Sequence, residues 1–133
     1  MDYISQNHSK HLLMAHLIFS CKYRKKLLGR YGTEIKNIFL DIAEEKDLNI
    51  ITMEVDKNHI HILVQYSPTR SILQIVRHFK QISTYRIWRQ NNNDENLKEN
   101  FWKENTFWGD GYFDCSIGNV SKEIIEKYIA NQG

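Results

Sequence analysis

Apolar and polar residues alternate from His59 to Val64, which reads HIHILV. Successive side chains of a β-strand point to opposite faces, so this pattern predicts a strand. The two isoleucines and Val64 would pack inward on one face. The imidazoles of His59 and His61 would lie together on the other face.

Three further stretches have the length and apolar content of strands. They are residues 12–20 (LLMAHLIFS), 49–55 and 112–117 (YFDCSI). His16 lies inside the first, where a histidine of the core or of the sheet surface is the simplest interpretation. Gly118-Asn119 then predicts a turn.

Helical spacing of apolar residues predicts three helices. The first follows Gly29 and Gly32, which we interpret as breakers, and Thr33 is its predicted N-cap. The second covers residues 72–86, and the third, residues 120–132, is the terminal helix. Residues 90–100 (QNNNDENLKEN) are polar and predict a flexible loop.

The element order β-α-β-β-α-β plus a terminal helix predicts one α+β domain over residues 1–133. It is typical of the ferredoxin-like (RRM-like) arrangement, in which two helices cover one face of a four-stranded antiparallel sheet. His59 and His61 would then lie on the free face. The terminal helix, or that of a partner subunit, would cover them.

Basic residues are clustered although the net charge is only +2. Residues 22–30 and 70–89 each contain five Lys or Arg and no acidic residue. Such clusters indicate either a nucleic-acid surface or a solvated basic face. The candidate DNA contacts are Lys22, Arg24, Lys25, Lys26, Arg77, Lys80 and Arg86.

Several classes of protein are disfavoured by what the sequence lacks. No apolar run approaches the ~20 residues of a membrane span, and no signal peptide is evident. Cys21 and Cys115 are isolated, which favours reduced thiols and a cytoplasmic location over a disulfide scaffold or a zinc knuckle. No glycine-rich phosphate loop or Walker lysine is present, so we expect no nucleotide cofactor.

Two motifs carry candidate chemistry. His59 and His61 are either two ligands to one metal ion or two histidines of a half-exposed strand. Tyr128 and Gln132 are four residues apart on the terminal helix and therefore share a face. That pair is either a site or the edge of an amphipathic stripe.

The combination of motifs resembles the single-tyrosine HUH transposases of the insertion-sequence 200/605 family, which move bacterial or archaeal elements as single-stranded DNA. The similar segments appear in family order and span nearly the whole chain. They are HLIFSCKYRKKLL at 16–28, DKNHIHIL at 56–63, FWGDGYFDCSIG at 107–118 and KYIANQ at 127–132.

The resemblance implies an enzyme that recognises hairpins at element ends and acts as a homodimer with composite active sites. His59, His61 and Gln132 would bind a divalent metal, Mg²⁺ or Mn²⁺. Tyr128 would attack the DNA and form a 5′-phosphotyrosine. Docking of the tyrosine helix in cis or in trans stays open.

Three alternatives remain at this point. A domesticated repeat-associated tyrosine transposase would act on chromosomal palindromes with the same chemistry. A non-catalytic ferredoxin-like RNA-binding module would need aromatic rings where the third strand has histidines. A rolling-circle initiator or relaxase is typically larger and often orders the motifs differently.

Overall fold

The computed structural model describes residues 13–101 and 104–119, with all side chains there except those of Phe113 and residues 115–119. Its strands are β1 (Leu13–Ser20), β2 (Asn49–Val55), β3 (His59–Tyr66) and β4 (Phe113–Asn119). Its α-helices are α1 (Leu28–Glu45), α2 (Ile72–Arg77), α3 (Ser83–Gln90) and α4 (Glu95–Asn100). The mixture confirms the predicted α+β class.

The strands form one sheet in the order β2-β3-β1-β4, and each neighbouring pair is antiparallel. The histidine strand β3 therefore lies between β1 and β2. His59 is opposite Ser20 of β1, and His61 is opposite Ile18 of β1 and Glu54 of β2. This register brings side chains from three strands to the same face as the histidines.

The two faces of β3 differ in their surroundings, as the alternation predicts. Ile60, Ile62 and Val64 are fully buried in the main core, which also contains buried residues of β1 and of the helices. On the other face His59 and His61 are half-buried, but Leu63 has no exposed surface. The prediction of inward isoleucines is confirmed, whereas the histidine face is covered in part rather than free.

Helix α1 begins earlier than the sequence predicts. It starts at Leu28 rather than after Thr33, so Gly29 and Gly32 are inside the helix and do not break it. Leu28 and Tyr31 are buried in the core, and their burial extends the apolar face of the helix toward its N-terminus. A Cβ at Gly32 would lie 3.4 Å from the Val55 side chain, an ordinary van der Waals contact, so α1 packs closely against β2 at this point.

The second predicted helix is one helical stretch with an irregular centre. Residues 78–82 form a π-helical segment between α2 and α3. Helix α2 begins with a capping box in which the Ser71 hydroxyl accepts from the Gln74 amide, and the Gln74 side chain accepts from the Ser71 amide. Phe79, inside the π-helical segment, is fully buried and stacks on Phe39 of α1 at 4.8 Å between ring centroids.

The polar stretch 90–100 is only partly a loop, so this prediction was wrong for its second half. Helix α4 occupies residues 95–100, and the Asp94 side chain caps it by accepting from the Asn96 amide at 2.9 Å. Leu97 anchors α4 because it is fully buried. Leu97 is the one apolar residue of the stretch 90–100, so no apolar periodicity indicated a helix.

The end of the described chain differs slightly from the prediction. Strand β4 starts at Phe113 and includes Gly118 and Asn119, which the sequence assigned to a turn. These two residues pair with Met14 and Leu13 of β1 and therefore extend the strand. The predicted terminal helix at 120–132 lies outside the described residues.

Candidate active site

The two histidines of β3 lie beside one another on the sheet face opposite α1. Their ring centroids are 4.8 Å apart and their planes are inclined by 56°. The period-two geometry of the strand alone brings them together, as the sequence predicted. Two imidazoles at this separation can direct nitrogen lone pairs toward one point above the sheet.

His59 is oriented by its neighbour in the chain. Its Nδ1 is 2.8 Å from Oδ1 of Asn58. An amide oxygen accepts a hydrogen bond, so this contact places the proton on Nδ1 and leaves the Nε2 lone pair for a metal ion. The Asp56 carboxylate is 3.9 Å from Nε2, which is too long for a hydrogen bond.

A third imidazole extends this cluster. The ring of His16 in β1 is 5.4 Å from that of His61. Burial lowers the pKa of both histidines; the His59 charge lowers the pKa of His61 further, and the His61 charge that of His16. Both rings are therefore held in the neutral form, which is the form that binds metal ions.

His16 and Asn58 were not recognised as site residues from the sequence. The proximity of His16 to His61 depends on the pairing of β1 with β3, which no local pattern specifies. Asn58 lies in the segment DKNHIHIL at 56–63, for which the sequence predicts a role only at the two histidines. Its position directly before the first histidine was the one available signal.

The donor set fits a divalent metal ion as far as the described residues extend. His59 and His61 supply two imidazole nitrogens, and the side chain of Asn58 orients the ring of His59. Within residues 13–101 and 104–119, no three His, Cys, Asp or Glu side chains form a group that could hold a metal. A complete site would need a further ligand; the predicted ligand Gln132 and the predicted nucleophile Tyr128 lie outside the described residues.

Asn58→Ala is expected to weaken Mn²⁺ binding by about 10- to 100-fold, the usual effect of removing a partner that orients a metal-binding histidine. The His59 ring would lose its fixed tautomer, although both ligands would remain. Calorimetric titration with Mn²⁺ measures this. Asn93→Ala, at an exposed loop position outside the site, is the control, and equal Mn²⁺ affinity in the two variants would contradict the role of Asn58.

A basic turn, residues 22–26, lies beside the histidines. The Cys21 amide donates to the Asn58 carbonyl at 2.8 Å, and the Leu28 amide donates to the Lys57 carbonyl at 2.9 Å. These bonds fix both ends of the turn to the segment that precedes His59. The turn contains Lys22, Arg24, Lys25 and Lys26 of the predicted DNA contacts.

The backbone of the basic turn adopts a conformation that side chains disfavour. Tyr23 and Arg24 both have positive φ, 58° and 52°. Consecutive non-glycine residues in this region are strained, and such strain often accompanies a functional loop. Both side chains are exposed, so the turn projects its ring and its guanidinium into solvent.

The basic residues of the second helical stretch have different surroundings. Arg77 is exposed, whereas the Lys80 amine donates to the carbonyls of Gly109 and Gly111, and Arg86 forms an ion pair with Glu45 at 2.7 Å. Burial lowers the pKa of Lys80. The structure thus gives Lys80 and Arg86 intramolecular partners. A role in DNA contact stays a prediction for all seven residues.

Comparison with known proteins identifies the family. Residues 9–132 match the family model described as transposase, IS200 like. The chain belongs to the IS200-like transposase family. It is 34% identical over 118 residues to the ISDra2 transposase TnpA of Deinococcus radiodurans, covering 88% of this chain and 81% of that protein. It is 27% identical to the transposase for insertion sequence element IS200 of Salmonella typhimurium, covering 98% and 84%.

Two solved structures share the fold. A putative transposase from Deinococcus radiodurans superposes with a TM-score of 0.69 at 28% identity, covering 95% of each chain. A REP-associated tyrosine transposase bound to a REP hairpin gives a TM-score of 0.59 at 12% identity, covering 98% of this chain and 68% of that one. At 12% identity the second comparison shows the fold alone.

Membership of this family confirms the transposase prediction and indicates an enzyme that cleaves and transfers DNA strands. None of the helices in residues 13–101 and 104–119 has the length and hydropathy of a membrane span.

Proposed function

We propose that this IS200-like transposase cleaves and rejoins single-stranded DNA at insertion-sequence ends through a 5′-phosphotyrosine on Tyr128. The observation that carries the proposal is the placement of the basic turn against His59 and His61. A phosphate bound at Arg24 or Lys26 would lie close to the two imidazoles of the central strand β3. Phosphate binding and metal binding would thus meet at one edge of the sheet.

The reaction proceeds by two transesterifications. The phenolic oxygen of Tyr128 attacks a backbone phosphorus, its P–O bond forms, and the bond to the 3′ oxygen breaks. The phenol gives up its proton to solvent, and the leaving 3′ oxygen takes up a proton and becomes a 3′-hydroxyl. A second 3′-hydroxyl later attacks the phosphotyrosine and releases the phenol, so the strand is rejoined without a nucleotide cofactor.

A phenol with a pKa of about 10 is a weak nucleophile at neutral pH and needs assistance. A divalent ion, Mg²⁺ or Mn²⁺, bound by His59, His61 and Gln132 would polarise the scissile phosphate. A nitrogen-rich donor set favours Mn²⁺ at least as much as Mg²⁺. The contribution of the chain is to lower the pKa of His61 by burial and to orient His59 through Asn58.

Hairpin recognition and dimerisation belong to the same proposal. A fold-level relative is bound to a REP hairpin, and we extend hairpin binding to this chain.

The strand order β2-β3-β1-β4 supports the ferredoxin-like arrangement. We propose a homodimer in which the terminal helix completes the histidine site in cis or in trans.

A domesticated role is less well supported than transposition. The relatives with 34% and 27% identity are insertion-sequence transposases, whereas the repeat-associated relative shares only 12%. An RNA-binding module is disfavoured because β3 presents His59 and His61 where stacking rings would be needed.

The direct test incubates the protein with single-stranded DNA that carries the hairpin ends of the element, with and without Mn²⁺. A covalent protein–DNA band that requires Mn²⁺ supports the proposal. Absence of the band with either end of the element, in the presence of Mn²⁺, would refute it.

Replacing Arg24 and Lys26 by glutamine is expected to weaken DNA binding and to flatten its salt dependence. Each lost phosphate contact should reduce the slope of log affinity against log salt by roughly 0.7 for single strands, so two contacts give roughly 1.4. Both side chains are exposed and form no ion pair within the described residues. Fluorescence anisotropy at several salt concentrations measures the slope.

Lys36→Gln is the matched control, since Lys36 lies on α1 outside both basic stretches. It should leave the slope at the wild-type value. A double variant with an unchanged slope would exclude the basic turn from the DNA interface.

A further inference from the structure

An aromatic and basic groove lies between α3 and the segment that follows α4. Its walls include Tyr85, Trp88, Arg89, Lys98, Phe101 and Trp108, and its volume is ≈ 1130 Å³. Small-molecule sites usually measure about 300–1,000 Å³, so the groove is large enough for a short stretch of single-stranded DNA. Neither the histidine site nor the hairpin proposal uses it.

The walls of the groove are fixed by buried hydrogen bonds. The Trp88 indole donates to the Thr106 carbonyl at 2.8 Å, and the Trp108 indole donates to the Ser83 hydroxyl at 2.9 Å. The Lys80 amine binds the carbonyls of Gly109 and Gly111 at the other end. The groove is therefore preformed by the fold.

Tyr85 differs from these fixed side chains because it is exposed. Its relative exposure is 62%, although it lines an otherwise aromatic surface. The Arg89 guanidinium donates to the Tyr85 hydroxyl at 3.0 Å and lies 6.0 Å from the ring centroid. The ring and the guanidinium together form a platform of the kind that receives a nucleobase and its phosphate.

The charge of the groove favours an anionic occupant. Lys80, Arg89 and Lys98 are its basic residues, against one acidic residue, Asp110. Arg89 has no carboxylate partner within the described part of the chain, and Lys98 has only a long contact of 3.9 Å to Glu95. One exposed ring, Tyr85, beside cations that have no close carboxylate partner is a combination also found on surfaces that bind single-stranded DNA.

The groove borders the basic turn, which is itself hydrogen-bonded to the segment that precedes His59. Lys25 lies 6.0 Å from the ring centroid of Phe101, and the Lys22 amine is 3.8 Å from the Asp110 carboxylate. The Gly109 amide donates to the Ser20 carbonyl, directly opposite His59 in the sheet register. A DNA strand leaving the histidines across the basic turn would enter this groove.

We propose that the groove binds the unpaired single-stranded DNA that flanks the hairpin, with one base stacked on Tyr85 and its phosphate on Arg89. This rests on the proposed single-stranded DNA chemistry and adds a site for the strand outside the hairpin. It assigns to Tyr85 the role of holding flanking DNA, separate from the cleavage step.

The test measures binding of two oligonucleotides by anisotropy: a hairpin with a single-stranded flank and the same hairpin without it. Tyr85→Ala should weaken binding of the flanked hairpin by about 5- to 100-fold, the usual range for loss of a stacked base. Binding of the bare hairpin should not change. Tyr85→Phe retains the ring and should bind the flanked hairpin almost as tightly as the wild type.

Leu40→Ala, on the exposed surface of α1, is the control for a helix-surface substitution. Equal binding of the flanked hairpin by wild type and Tyr85→Ala would overturn the proposal, and so would equal weakening of both hairpins. A fluorescent polyglutamate peptide tests for a protein partner instead. If the peptide binds in a Tyr85-dependent way and neither oligonucleotide displaces it, the groove binds a protein and the proposal is overturned.

The covalent-adduct assay separates this proposal from the proposed function. Flank-dependent binding through Tyr85 without any adduct would support the groove and refute the cleavage chemistry. An adduct formed with no effect of Tyr85 on flank binding would support the chemistry and refute the groove.

Discussion

Tyr128→Phe is expected to abolish the covalent protein–DNA adduct and to leave hairpin binding unchanged. The substitution removes one oxygen, which is the atom that would form the bond to phosphorus. The basic turn and the histidines are untouched, so the surface that attracts phosphate remains. Denaturing electrophoresis with labelled DNA measures the adduct, and anisotropy measures binding.

Tyr112→Phe is the matched control because Tyr112 is partly exposed at the start of β4, beside Gly111. It should form the adduct at the wild-type yield. If Tyr128→Phe still forms the adduct at that yield, another residue is the nucleophile, and Tyr112 is the first to test. Tyr23 and Tyr85 are the other well-exposed tyrosines within the described residues.

Strands were predicted better than helix boundaries for a physical reason. Strand β3 alternates in burial from His59 to Ile62, and strand β2 matches its predicted residues, 49–55. Period-two burial is visible in a short window, whereas a helix end depends on what packs against it. Helix α1 extends over Gly29 and Gly32 because the side chains of Leu28 and Tyr31 pack into the core.

Helix α4 shows the limit of composition as a guide. Residues 90–100 contain one leucine among polar residues, and no periodicity marks a helix. The Tyr31 hydroxyl donates to Asp94 at 2.8 Å and so holds the helix cap against α1. A contact across 63 residues of sequence cannot be inferred from the segment itself.

The residues of the candidate site likewise fall into those that a local pattern predicts and those that depend on contacts between distant segments. His59 and His61 are two residues apart and their common face follows from the strand alone. The proximity of His16 and of the basic turn to these two histidines depends on the β1–β3 pairing. This pairing brings together segments about 40 residues apart in sequence. The roles of Tyr128 and Gln132 rest on the resemblance and stay predictions.

His59→Ala and His61→Ala are each expected to abolish Mn²⁺-dependent cleavage. Each should weaken Mn²⁺ binding by more than the about 10- to 100-fold expected for Asn58→Ala, which removes only the partner that orients a ligand. A single imidazole cannot hold the ion in place, and the scissile phosphate would lose its polarising group.

Gln132→Ala should reduce cleavage less than either histidine variant, because water can replace an amide oxygen, and higher Mn²⁺ should restore part of the activity. His78→Ala removes a half-buried histidine from the helical stretch and is the control. Calorimetry measures the Mn²⁺ affinity, and the adduct assay measures cleavage. Wild-type Mn²⁺ affinity in both β3 variants would show that the ion binds elsewhere, even if cleavage were lost.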